Sequence, residues 1–177
     1  MSLIVRETAE TKIRVELARR PGEIRVDTAV PFLDHMVTAL AKYAGLSLNL
    51  SARGDLRHHV IEDVAIALGM AVLDDVKEPI ARFGSQVVPM DDALVQCAVD
   101  FGGRPYYAGP LPSSYYEHWM RSFADHARCT LHIRVIRGLD RHHMVEAAFK
   151  ALGMALKQAL APVDRIQSTK GEVKVER

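Results

Sequence analysis

The sequence predicts an α+β fold made of two fused, similar halves, each a mostly antiparallel sheet backed by two helices. Two observations carry this expectation. The chain repeats itself: His58-His59-Val60-Ile61-Glu62, followed by Ala67-Leu68-Gly69-Met70-Ala71, returns 84 residues later as His142-His143-Met144-Val145-Glu146 with Ala151-Leu152-Gly153-Met154-Ala155 behind it. Upstream the repeat continues at an offset of 83, pairing His35 with His118, Tyr43-Ala44 with His126-Ala127, and Leu48-Asn49-Leu50 with Leu131-His132-Ile133. The second observation is that both halves run through strand-like alternation and helix-like spacing in a similar order. Residues 1–84 and 85–177 are therefore read as the two halves of one compact unit.

Taken in order, residues 11–18 (TKIRVELA) and 22–29 (GEIRVDTA) alternate as strands do, with Arg19-Arg20-Pro21-Gly22 as the turn between them. A helix begins at Pro31, which suits a first-turn position, and runs to about Ala44, where Gly45 stops it. A strand follows at residues 46–50 (LSLNL). From His59 to about Val76 the apolar residues Ile61, Val64, Ala65, Leu68, Ala71 and Val72 fall at helical spacing, which predicts a long helix on the sheet. The second half reads as a strand at 93–100, the segment RPYY, a helix from about Ser114 to His126, a strand at 129–136 and a long helix from about Arg141 to Leu160, closed by Pro162.

Composition narrows the function. The chain has 177 residues, 49% of them hydrophobic, with 23 basic residues against 22 acidic. That balance gives no general attraction to nucleic acid or an anionic membrane, and favours a small substrate recognised locally. The opening MSLIVRETAE carries charges where a secretory signal needs an apolar stretch, and no apolar run reaches spanning length, so the expected location is the cytoplasm. Cys97 and Cys129 sit alone in apolar surroundings and read as buried free thiols.

Eight histidines are the unusual feature. Residues four apart share a helix face, so His58 with Glu62 and His142 with Glu146 each form a two-ligand clip. His59 and His143 are turned from their neighbours by roughly 100°, so each motif can serve two different ions. Adding His35 and His118 gives six imidazoles and two carboxylates, four protein ligands for each of two ions. Imidazole mixed with carboxylate and no thiolate suits manganese, iron or zinc, and manganese accepts six-coordination with open positions most readily. His126 and His132 have no histidine at the repeat position and read as structural.

At this point the sequence resembles the imidazoleglycerol-phosphate dehydratase family. The matching segments are Phe32-Leu33-Asp34-His35-Met36, His58-His59-x-x-Glu62-Asp63, Pro89-Met90-Asp91, Gly103-Arg104-Pro105-Tyr106, the helix from His142 through Glu146 to Phe149-Lys150, and Ser168-Thr169-Lys170-Gly171. They occur in order over nearly the whole chain. The resemblance implies a fold like the second domain of a ribosomal protein, and a metal-dependent loss of water from imidazole glycerol phosphate to imidazole acetol phosphate in histidine biosynthesis. The proton to be lost sits on a carbon with no adjacent carbonyl, so a base alone faces too high a barrier. Two cations holding the deprotonated ring as Lewis acids lower it.

Similarity to the family's Glu-Thr motif gives the role of general base to Glu10. Arg82, Arg104, Lys150, Ser168 and Lys170 align with its phosphate-side residues. Lys150 lies four residues after Glu146, on the same helix face. Arg121 reads as structural. The family's sites lie between subunits of a homo-oligomer of twenty-four chains, which implies shared sites here. Helical geometry and the resemblance together suggest His58, Glu62, His118 and His143 around one ion, and His35, His59, His142 and Glu146 around the other. Two other classes compete on the residues alone: a dinuclear metallohydrolase, and a non-enzymatic module in which metal ions lock subunits together.

Overall fold

A computed structural model describes residues 1–165, so the expectations placed on Ser168 and Lys170 lie outside the described residues. The first half contains β1 (Ser2–Glu7), β2 (Thr11–Ala18), β3 (Ile24–Asp27), α1 (Pro31–Ala44), β4 (Ser47–Gly54) and α2 (Arg57–Asp75). The second contains β5 (Phe83–Met90), β6 (Ala93–Asp100), β7 (Tyr106–Ala108), α3 (Ser114–His126), β8 (Thr130–Arg137) and α4 (Arg141–Ala159). Each half forms a four-stranded sheet, ordered β1-β2-β4-β3 and β5-β6-β8-β7. In both sheets two pairings are antiparallel and the last, β3 with β4 or β7 with β8, is parallel. A parallel pair cannot be closed by a tight turn, and the crossovers it needs are α1 and α3.

Segments 11–18 and 22–29, read as strands joined by a turn, do not pair with each other. β2 lies between β1 and β4, and β3, shortened to Ile24–Asp27, reaches the sheet on the far side of β4. Alternation reports which face of a strand is buried and is silent about its neighbour. Three strands also lie outside the elements expected. β1 is a short edge strand, β5 (FGSQVVPM) contains a glycine and a proline that weaken its strand pattern, and β7 has 3 residues. Pro89 is tolerated because β5 is an edge strand.

The helices begin and end as their residues dictate. Pro31 opens α1, and Gly45, at φ 69°, closes it with its own N–H bonded to Lys42 O and the N–H of Leu46 to Ala41 O. At the start of α4 the Asp140 side chain accepts a hydrogen bond from the His142 amide at 2.7 Å.

The helices of each half cover their own sheet, and the halves meet helix on helix, α1 against α4 and α2 against α3. One continuous core fills the interior, with Trp119, Phe123 and Phe149 fully buried. The repeated glycines make the helix contacts close. A Cβ on Gly69 would lie 2.7 Å from Phe123 O, and one on Gly153 would lie 2.6 Å from Leu40 O. Cys97 and Cys129 are buried free thiols, and burial pushes Cys129 up to about 12. Among the described residues no helix is long and apolar enough to cross a membrane.

Candidate metal centre

The two cross-half helix contacts each bring three donor residues together. His35 on α1 meets His142 and Glu146 on α4, and His58 and Glu62 on α2 meet His118 on α3. In each trio the donor atoms lie within 4.8 Å of one another. The repeat puts a clip on α2 and α4, and the helix packing supplies the third imidazole from the other half. Neither trio could form within one half.

The trio on α1 and α4 centres on Glu146, a buried carboxylate whose Oε2 lies 3.3 Å from His35 Nε2 and 3.0 Å from His142 Nε2. Lys150 Nζ approaches its other oxygen at 2.8 Å and also faces the Tyr43 ring. Burial alone would raise the Glu146 carboxyl, but hydrogen bonds from Lys150 and His35 outweigh it and leave the group below its ordinary range. In the trio on α2 and α3, His118 Nε2 lies 3.2 Å and His58 Nε2 3.6 Å from Glu62, with the two imidazoles stacked at 5.4 Å. The position matching Lys150 is Ile66, so among the described residues no lysine pairs with this carboxylate.

The donors fit a divalent cation. His118 Nε2 is buried, faces Glu62 and makes no hydrogen bond among the described residues, a cost that a shared ion would remove. Imidazole and carboxylate donors converge in both places, which is the ligand chemistry of borderline divalent metals.

His59 and His143 stand apart from the trios. His59 Nδ1 lies 2.8 Å from Asp55 and 3.6 Å from Glu10, and His143 Nδ1 lies 2.5 Å from Asp92, with Asp91 at 3.3 Å from its Nε2. The hydrogen bond to Asp55 holds His59 above the ordinary histidine range, and Asp92 does the same for His143. In return His143 and the amides of Leu139 and Asp140 hold Asp92 far below the carboxylate range. A carboxylate on Nδ1 fixes the ring and leaves Nε2 as the atom able to ligate. Asp55 and Asp92, the carboxylates bonded to these two imidazoles, are not among the residues singled out from the sequence. Asp55 could have been found four residues before His59 on the same side of the helix start. Asp92 could not, because it reaches His143 across the fold.

Of the remaining candidates, Glu10 sits in the turn between β1 and β2, with its side chain 57% exposed near His59. Arg82 is bonded to Asp100 at 2.6 and 3.0 Å and stacks on Phe83. Arg104 is exposed. His126 bonds to Ser122 O, and Arg121 lies over the Tyr107 ring.

Residues 28–156 match the sequence model of the family described as imidazoleglycerol-phosphate dehydratase. The chain is 50% identical over 186 residues to the imidazoleglycerol-phosphate dehydratase of Pyrobaculum arsenaticum, covering 96% of this chain and 98% of that one. It is 44% identical to that of Kineococcus radiotolerans over 95% of this chain and 96% of the relative. The crystal structure of the Pyrococcus furiosus enzyme superposes with a TM-score of 0.88 at 40% identity, over 96% of this chain and all of that one. The Staphylococcus aureus enzyme superposes with a TM-score of 0.77 at 32% identity, over 92% of this chain.

Proposed function

Because this chain belongs to the imidazoleglycerol-phosphate dehydratase family, we propose that it eliminates water from imidazole glycerol phosphate at a pair of divalent metal sites built on the two helix contacts. It is a hydro-lyase of histidine biosynthesis. The observation that carries the site assignment is the pair of convergent trios, His35, His142 and Glu146 and His58, Glu62 and His118, each drawn from both halves.

The chain's own residues divide the work. The trios hold the cations, taken as manganese because a six-coordinate ion keeps positions open for substrate. When bound, the ions supply Lewis-acid stabilisation of the charge that develops on the imidazole ring. Glu10, exposed at its turn and 3.6 Å from His59, removes the carbon-bound proton as general base. Asp55 and Asp92 orient His59 and His143. Arg82, Arg104, Lys150, Ser168 and Lys170 serve the substrate phosphate, with arginine offering parallel donors and lysine a point charge. For Arg82 and Lys150 this means sharing charge already engaged by Asp100 and Glu146.

The trios also support sites shared between chains. Each offers three ligands and half-exposed imidazoles, while His59 and His143 bond their own carboxylates and belong to neither trio. A neighbouring copy would bring His143 to the trio on Glu62 and His59 to the trio on Glu146, in an assembly of twenty-four chains. Residues 1–84 and 85–177 then act as one unit. A cytosolic location suits its buried free thiols.

The test is to incubate manganese-loaded protein with imidazole glycerol phosphate and follow imidazole acetol phosphate. Its appearance supports the reading. Release of inorganic phosphate instead would indicate a metallohydrolase, and neither product would leave a metal-locked assembly module.

A further inference from the structure

The turn that carries Glu10 is tied to helix α2 by a polar cluster, buried at Thr11 and Asp63, that the reaction above does not use. Asp63, one residue after Glu62 and 7% exposed, accepts hydrogen bonds on Oδ2 from Thr11 Oγ1 and Arg6 Nη1. The Thr11 and Thr8 hydroxyls lie 3.3 Å apart, and Thr8 Oγ1 accepts from the amides of Thr11 at 3.0 Å and of Glu10 itself at 3.1 Å. The Glu10 carbonyl accepts from the Asp55 amide at 3.0 Å. A continuous chain of hydrogen bonds thus runs from α2, which carries His58, His59 and Glu62, to the backbone of Glu10.

The second half provides an internal control. Arg6 pairs with Ile13 as Val88 pairs with Val95, Thr11 opens β2 as Ala93 opens β6, and Asp63 corresponds to Ala147 by the repeat. The counterparts of Arg6, Thr11 and Asp63 are therefore Val88, Ala93 and Ala147, exposed by 8%, 2% and 0%. The same junction of hairpin and helix closes there with apolar side chains. Burying a carboxylate costs more than burying an alanine, so the first half keeps a polar junction that the fold does not require.

The turn residues differ in the matching way. Asp92, the counterpart of Glu10, is anchored through its own side chain by His143 and the amides of Leu139 and Asp140. Glu10 has an exposed side chain that must reach a substrate, so its aim depends on the backbone beneath it. We propose that Asp63, acting through Thr11 and Thr8, is the positioning residue that fixes the turn from which Glu10 works. This rests on the reading of Glu10 as the base.

The experiment uses the full manganese-loaded protein and compares D63N, the transplant R6V/T11A/D63A that copies the second half, E10Q, and D63N combined with E10Q. Loss of placement by about an ångström should lower kcat of D63N and of the transplant by about 10- to 100-fold. KM and metal content should stay within about threefold, and amide exchange across residues 8–11 should speed up about tenfold or more. In the E10Q background D63N should lower kcat no further. The inference is overturned if the transplant fails to fold, if D63N keeps full kcat while E10Q is inactive, or if the D63N defect persists undiminished in E10Q. Full turnover by E10Q itself would instead remove the base reading on which the inference stands.

Discussion

Glu10 and Asp92 close the hairpin turns of the two halves at equivalent places, and the single methylene between them separates a reaching carboxylate from a tethered one. Glu10→Gln should keep metal content and assembly while kcat falls by about 100-fold or more, the usual worth of a positioned base; metal analysis beside steady-state kinetics checks it. Asp92→Asn should weaken manganese binding by about 10- to 100-fold through loss of the His143 orientation, measured by calorimetric titration. The pH dependence follows from the direction of the shift. His143 is held above 6.5 in the folded chain, so its side of the pair with Asp92 stabilises the metal-free protein fully below 6.5 and fades as pH rises through the raised value, while the Asp92 side fades in acid, as pH falls from 3.8 toward its lowered value. Metal must displace the same proton, so loading improves over that interval. In Asp92→Asn the loading midpoint should move down toward the ordinary histidine range, and an unchanged midpoint would contradict the role given to Asp92.

At the level of elements, the glycine in each Ala-Leu-Gly-Met-Ala segment lets its helix approach a partner from the other half. Gly69→Ala would drive a methyl group to 2.7 Å from Phe123 O, and Gly153→Ala to 2.6 Å from Leu40 O. Alanine favours a free helix, yet backbone cannot yield as a side chain tip does, so each change should destabilise by about 1–3 kcal/mol. Calorimetry on the metal-free protein should show the melting point lowered by several degrees. Gly69→Ala should also weaken metal binding at His58, Glu62 and His118 more than at the other trio, and Gly153→Ala the reverse. The repeat that marks these glycines was legible because duplication preserves spacing, as were the helices, whose caps and apolar stripes are local. Strand order was not legible, since β2 ends at Ala18 and its partner β4 begins only at Ser47, and nothing in either segment names its partner. The clips were legible as residues four apart on a helix, whereas the bonds from Asp92 to His143 and from Asp63 to Thr11 exist only after long-range packing.

For the whole molecule, the helix contacts between halves explain why one chain carries two similar donor trios, with His59 and His143 in neither. If neighbouring copies supply the missing imidazoles, H35A and H59A chains should each be inactive alone. Refolded together they should regain activity, because one chain then brings His35 and the other His59 to the same centre. No regain would confine each site to a single chain. The most direct measurement is anomalous diffraction at the manganese edge from crystals of the metal-loaded protein. The expected map shows one ion among His35, His142 and Glu146 and another among His58, Glu62 and His118, each completed by a histidine from a neighbouring chain. Ions bound elsewhere, or both trios left empty in the presence of saturating manganese, would contradict it.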